Sequence, residues 1–249
     1  GENKENVQLI DWQNPEKNDF AFAEEVSFQG KNNKRPDLVF YVNGIALGVL
    51  ELKRSKVSLS EGIRQNLDNQ SEEFIPRLFT TMQLVLAGSD AEGLRYGTTG
   101  TTEKFYLKWK EKAEKSFDYS LDLHLSQLCR KDRFLELIRD FIVFDSGVKK
   151  ICRPNQYFGI KAAQKRIHRR EDGILWHTQG SGKSLTMVWL TKWIRENIRD
   201  SRVLIITDRE ELDQQIERTF LGVDEEIYRA SSGRDLLNSL NGKRPWLLC

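Results

Sequence analysis

Cysteine is scarce. Cys129, Cys152 and Cys249 are the only three, and they stand far apart. They make no zinc-ligand spacing, and an odd number does not suit a disulfide framework. A reducing, cytoplasmic setting is the simplest expectation. Long apolar runs are missing too: no window approaches the roughly 18 residues of a membrane span, so no membrane partner is expected. The first 20 residues are polar and acidic, unlike a secretory signal. The chain does not open on Met, so it is expected to be processed or cut from a longer sequence. A dominant sign of charge is also lacking. Thirty-nine Lys and Arg against 37 Asp and Glu leave +2, and that balance does not announce a nucleic-acid binder. Local basic clusters (Lys31, Lys34, Arg35; Lys149, Lys150, Arg153; Lys161, Lys165, Arg166, Arg169, Arg170) read as solvated faces. There are no internal repeats and no low-complexity segment.

What is present is a chain of 249 residues, 39% hydrophobic and 31% charged, enough for one large domain or two ordinary ones. Residues 1 to about 57 read as strands and turns. "VSLSEGIRQNLDNQSEEF" reads as a helix opened by a Ser58–Glu61 capping box, with Ile63 and Leu67 on its core face. "MQLVLAG" reads as a strand. Residues 88–125 read as loops and a surface subregion, and "LCRKDRFLELIRDFIVFD" as a helix leading out. Beyond about Ile151 the style changes. "GILWH" and "RVLIITD" read as strands, "SLTMVWLTKWIREN" and "REELDQQIERTF" as helices. The second helix carries a Leu212, Ile216, Phe220 stripe and an Asp208–Glu211 capping box. Alternating β and α argues for a parallel sheet. Two α/β domains follow, 1–146 and 147–249, with the boundary near Gly147.

The strongest motif is "HTQGSGKS". A strand running into Thr178, Gln179, Gly180, Ser181, Gly182, Lys183 and Ser184, then a helix, has the order a phosphate cradle needs. Glycines let backbone amides turn inward, and the helix N-terminus adds its dipole. Lys183 would reach the β and γ phosphates of ATP, and the Ser184 hydroxyl would ligate its Mg²⁺. His177 stands where the full pattern has its first glycine, the one that matters least to phosphate contact.

A second stretch is "RPDLVFYVNGIALGVLELK". It is either a buried hairpin with charged ends or a metal site. Glu51 and Lys53 are two apart on a strand and share a face. Register decides whether Asp37 joins them. A two-residue Asn43–Gly44 turn pairs Asp37 with Leu50 and sends Glu51 to the other face. A three-residue loop pairs Tyr41 with Ile45 and brings Asp37 and Glu51 to one face. A metal site therefore needs a loop of odd length or a bulge, and "VNGI" is not expected to close as a simple two-residue turn.

Pro36-Asp37…Glu51-Leu52-Lys53 resembles the PD-(D/E)xK nucleases. In that resemblance Asp37 and Glu51 hold Mg²⁺, and Lys53 positions or activates the attacking water. RecB-like members follow with Gln-x-x-x-Tyr; Gln65 matches the supporting Gln, and Asn69 stands in place of the Tyr. Glu24 and Glu25 are candidates for the upstream Glu of that family, with no assignment between them. "RPNQYFGIKAAQ" and "TDREELDQQI" resemble superfamily 2 helicases, in which a Gln ahead of the phosphate loop (here Gln156, or Gln164) reads adenine and a strand end (Asp208, Arg209) lies near DNA. Such motors also need an Asp-Glu strand and a second lobe with an arginine finger. Neither is recognisable, so the chain is expected to be the front of a longer protein, with ATP hydrolysis by this piece incomplete.

With "RPDLVFYVNGIALGVLELKRS", "EGIRQNLDNQ", "IVFDSGVKKICRPNQYFGIKAAQ" and "HTQGSGKS" together, the chain resembles the N-terminal part of the restriction (R, motor) subunit of type I restriction-modification enzymes. The implied fold is a restriction-endonuclease-like α/β domain followed by the start of a RecA-like parallel-sheet lobe. The implied activity is Mg²⁺-dependent cleavage of double-stranded DNA after ATP-driven translocation. It would act with methylation and specificity subunits in a bacterial or archaeal cytoplasm. Another helicase-nuclease, of type III restriction or repair, shares the same chemistry. A piece that binds DNA or nucleotide without turnover is the reading from a different class.

Overall fold

A computed structural model describes residues 7–113, 115–242 and 245–249. The chain forms two compact units, Gly1–Ile142 with Lys149–Pro154, and Val143–Val148 with Asn155–Cys249. Among the described residues no helix is long and apolar enough to cross a membrane.

The first unit is built on one mixed six-stranded sheet whose strands follow chain order: β1 (Phe20–Glu24), β2 (Leu38–Val42), β3 (Ile45–Leu52), β4 (Leu84–Ser89), β5 (Gly93–Gly97) and β6 (Leu107–Lys108). All neighbours pair antiparallel except β3 and β4, which are parallel. A parallel pair needs a crossover, and α1 (Leu59–Asn69) supplies it. The helix lies on the face carrying Val39, Val49, Val85 and Ala87, which form a core with Leu59, Ile63 and Met82. Gly62 allows the close approach: a Cβ there would meet the Ala87 Cβ and the Lys53 stem, both at 3.3 Å. The opposite face packs α2 (Ser120–Leu128) and α3 (Lys131–Asp140). Leu121 presses on Gly88, and Phe134 on Gly48 and Phe40.

The hairpin corrects the expectation for "VNGI". Val42 pairs with Ile45, so the turn does close on two residues. Asn43 (φ 50°) and Gly44 (φ 78°) take the left-handed conformations that a tight hairpin turn demands. The odd residue sits further down the hairpin. Tyr41 faces Ala46 but Phe40 faces Gly48, leaving Leu47 as a β-bulge. Beyond it the pairing runs Val39 to Val49 and Leu38 to Leu50. The same register sets Asp37 across from Glu51.

Residues 88–125 are less loop-like than their composition suggests. β5 is almost wholly buried, and Trp109 is fully buried, edge-on to Tyr96 at 5.9 Å. The expected long helix over "LCRKDRFLELIRDFIVFD" ends at Asp140. Its tail becomes β7 (Ile142–Asp145), paired with β8 (Val148–Ile151).

The second unit holds α4 (Pro154–Arg169), α5 (Lys183–Asn197), β9 (Val203–Leu204), α6 (Glu210–Gly222), α7 (Gly233–Asn241) and β10 (Leu247–Leu248). β9 and β10 pair in parallel. Of "RVLIITD" only Val203 and Leu204 are strand. "GILWH" forms no strand, and Ile174 and Trp176 are each 89% exposed. A parallel strand draws its hydrogen bonds from its neighbours, and residues 173–177 pair with neither β9 nor β10. The Asp208–Glu211 capping box also fails. Arg209 is the N-cap of α6 and makes no side-chain cap bond, while the Thr207 hydroxyl meets Asp213 at 2.6 Å. Leu212 is largely exposed; Ile216 and Phe220 carry the apolar stripe. At α1, Ser58 does cap, though its hydroxyl accepts from the Ser60 amide at 3.3 Å.

Candidate active site and nucleotide-binding loop

At the end of β3 the strand's alternation puts Val49, Glu51 and Lys53 on the α1 face. Glu51 is fully buried there. Asp37, one residue ahead of β2, accepts the Leu52 amide through Oδ2 at 2.6 Å, and its own carbonyl accepts the Glu25 amide at 3.0 Å. Both bonds fix the carboxylate beside Glu51. From above, α1 sends down Gln65 and Asn69, one helical turn apart. Gln65 Oε1 accepts from the Lys53 ammonium at 2.5 Å, and the Asn69 amide donates to Glu51 Oε1 at 3.2 Å. The structure thus brings Asp37, Glu51, Lys53, Gln65 and Asn69 to one place.

The electrostatics there are unusual. Burial, and then the neighbouring Asp37 charge, push Glu51 up to about 8; Lys53 and the Asn69 amide pull the other way less strongly. Glu51 Oε2 and Asn69 Oδ1 are buried and have no hydrogen-bond partner. A buried carboxylate oxygen facing a second carboxylate without a donor is costly unless a cation meets it. The donor set, two carboxylates and amide oxygens, is all oxygen and so suits a hard divalent ion such as Mg²⁺. No cluster of three or more His, Cys, Asp or Glu side chains forms among the described residues. Glu24 and Glu25 do not complete one. Glu24 ends β1 exposed, and Glu25 (φ 51°) pairs with Arg35 at 3.6 Å.

In the second unit Gly180 (φ 74°) and Gly182 (φ 84°) are left-handed, and Gly182 is the N-cap of α5. The turn is closed by Thr178, whose carbonyl accepts from the Ser181 amide at 3.3 Å, the Ser181 hydroxyl at 2.7 Å and the Lys183 ammonium at 3.1 Å. Ser184 lies in the first turn of α5, and Gln179 is exposed beside the glycines. Gln156, buried in α4, donates to the Gly182 carbonyl at 2.9 Å. A Cβ on Gly182 would fall 2.5 Å from the Gln156 amide nitrogen, so the Gln156 side chain would have to give up its place on the loop. Gln164 is buried further along α4. Asp208 and Arg209 are exposed ahead of α6.

Comparison with known proteins covers both units. Residues 1–105 match the family described as type I restriction enzyme R protein N terminus, and residues 155–248 match SWI2/SNF2 ATPase. Both matched segments make the chain similar to the type I restriction enzyme R proteins. Relatives match along most of it. A Methanocaldococcus jannaschii protein provisionally named as the type I restriction enzyme MjaVIIIP endonuclease subunit is 33% identical over 86% of the chain. The type I restriction enzyme HindI endonuclease subunit of Haemophilus influenzae is 30% identical over 95%, and the SauCOLORF180P subunit of Staphylococcus aureus 25% over 82%. The chain spans only 22–24% of the length of these relatives.

Two features of the site had weak or no signal in sequence. The Leu47 bulge has none, since bulged and regular strands share a composition. The Asn69 contact to Glu51 has one: spacing four from Gln65 on a single helix face.

Proposed function

We propose that this chain is the nuclease and first motor part of an ATP-dependent DNA endonuclease, the restriction subunit of a type I system. Residues 1–146 form the endonuclease domain and 147–249 the first RecA-like lobe. The observation that carries the reading is the pairing of half-buried Asp37 with fully buried Glu51, with one Glu51 oxygen unmet and Lys53 held alongside by Gln65, on the same chain as a glycine-bent phosphate loop.

Asp37 and Glu51 would hold Mg²⁺ (the lone pair of Glu51 Oε2 is the free ligand). The ion would supply Lewis acidity at a phosphodiester oxygen. Lys53, steadied by Gln65, places a positive charge where the phosphate gains negative charge and where the attacking water must be oriented. Asn69 keeps Glu51 Oε1 aimed by donating to it. Burial of Glu51 excludes bulk water from that oxygen. In the second unit, loop amides around Gly180, Ser181 and Gly182, with Lys183, would bind ATP phosphates. Ser184 would hold the nucleotide's Mg²⁺. Gln156, fixed on Gly182, ties the adenine side of the site to the loop. Asp208 and Arg209 would lie toward DNA. Sequence recognition falls to the methylation and specificity subunits, so this chain need not read bases.

The test is plasmid cleavage by the assembled enzyme with ATP and Mg²⁺. Lys53→Ala should stop cleavage and keep ATP hydrolysis; Lys183→Ala should stop both. Cleavage that survives Lys183→Ala unchanged contradicts the coupling of motor and nuclease. Co-purification with a methyltransferase separates this reading from a repair helicase-nuclease.

A further inference from the structure

Sheet register links Glu51 to a second charged feature. Glu51 pairs with Ala87, Ala87 with Arg95, and Arg95 with Lys108, so one transverse row crosses from β3 to the sheet edge at β6. Arg95 and Lys108 are like charges directly opposed, an arrangement that costs stability by itself. The Arg95 Nη1 is buried without a partner.

From the end of β6 the chain runs Lys108-Trp109-Lys110-Glu111-Lys112. Alternate residues of this stretch go opposite ways. Trp109 is fully buried and donates its Nε1 to Glu111 at 2.9 Å; Arg133, also buried, grips Glu111 at 2.5 and 3.1 Å. Lys108, Lys110 and Lys112 are left exposed on the other side. Glu111, the only acid in the stretch, is committed to Arg133 and Trp109. None of the three lysines has an ion-pair partner among the described residues. They line an open hollow of about 520 Å³ with His124. His124 reports the local field: burial first, then Lys108 and Arg95, hold it below the usual imidazole range.

We infer that Lys108, Lys110 and Lys112, backed by Arg95, form a binding site for the phosphate backbone of duplex DNA. The inference rests on the nuclease reading for its choice of ligand. If the strand direction of β6 carries on, alternate residues repeat every ~6.6 Å, about two ~3.4 Å rises measured along the duplex axis. Single-stranded DNA would need exposed aromatic platforms between the cations, and the one aromatic within Lys108–Lys112, Trp109, is buried. β6 lies three strands from β3, roughly 14 Å at ~4.8 Å per strand. That is less than one ~34 Å turn of duplex, so a single duplex can meet both the lysines and the carboxylates.

The test is fluorescence anisotropy of a labelled duplex with the intact protein in EDTA, across a salt series. Replacing Lys108, Lys110 and Lys112 together by Ala should lower the slope of log affinity against log salt by about 2 to 3, at ~0.9 per lost contact. The matching Arg variant should keep the wild-type slope. A triple Ala variant with wild-type slope overturns the site. So does an equal loss on single-stranded and duplex DNA, which removes the duplex assignment. Binding in EDTA needs no cleavage. A protein that loses slope on lysine replacement but never cleaves with Mg²⁺ breaks the nuclease reading and keeps this one. A protein that cleaves while its slope ignores the lysines breaks this one alone.

Discussion

The Asn69 side-chain amide donates to Glu51 Oε1 at 3.2 Å, and no donor reaches Glu51 Oε2. One oxygen is fixed and one is free. This division lets a buried acid serve as a ligand without turning away from its neighbour.

Replacing Asn69 by Leu removes that donor while keeping the volume. Glu51 should then titrate above its present value of about 8. Mg²⁺ affinity should fall about 10- to 100-fold, the usual cost of losing a residue that orients a ligand. Calorimetric Mg²⁺ titration measures it, and circular dichroism should report an unchanged fold.

Glu51→Gln tests the burial of charge. The folded-state value, about 8, lies above the ordinary 4.5. A raised acid contributes fully to stability below its unfolded value and loses that contribution as pH climbs through the folded one. Wild type should therefore weaken between about pH 4.5 and pH 8, and the Gln variant should not. Above pH 8 the variant should be the more stable protein by on the order of 3–5 kcal/mol; near pH 4 the two should agree. Urea unfolding at the two pH values decides it.

Much of this site was legible in sequence, for physical reasons that can be named. Gln65 and Asn69 are four apart on a strongly amphipathic helix, so their shared face follows from helix geometry. The glycine loop follows from the backbone angles that only glycine adopts cheaply. The bulge at Leu47 was not legible in place. The need for an odd residue could be argued, but Asn43–Gly44 satisfies the tight turn, and the extra residue moved into the strand. β5, "GLRYG", escaped notice because Gly, Arg and Gly hide an alternating pattern that burial later imposes. "GILWH" read as a strand on apolar content alone, yet pairing requires a neighbour.

Gly182→Ala should damage the nucleotide loop twice. A φ of 84° strains any Cβ residue by about 1–2 kcal/mol, and the new methyl would strike Gln156. Stability of the second unit should drop by roughly 2–3 kcal/mol once the Gln156 bond to the loop is also lost. Binding of a fluorescent ATP analogue should weaken with it. Adding Gln156→Ala relieves the collision but not the backbone strain, so affinity should not recover. Denaturant melts and analogue titrations check both points.

On the proposed mechanism Glu51 binds Mg²⁺ as a carboxylate that burial otherwise keeps protonated. Near pH 7 a group titrating at about 8 carries its proton most of the time, and a metal must displace it. Calorimetric Mg²⁺ titration at pH 7, in buffers of different ionisation enthalpy, counts the protons released. The prediction is close to one proton (about 0.9) per ion bound to wild type, with this binding lost in Glu51→Gln. Binding without proton release, or equal binding by Glu51→Gln, would contradict it.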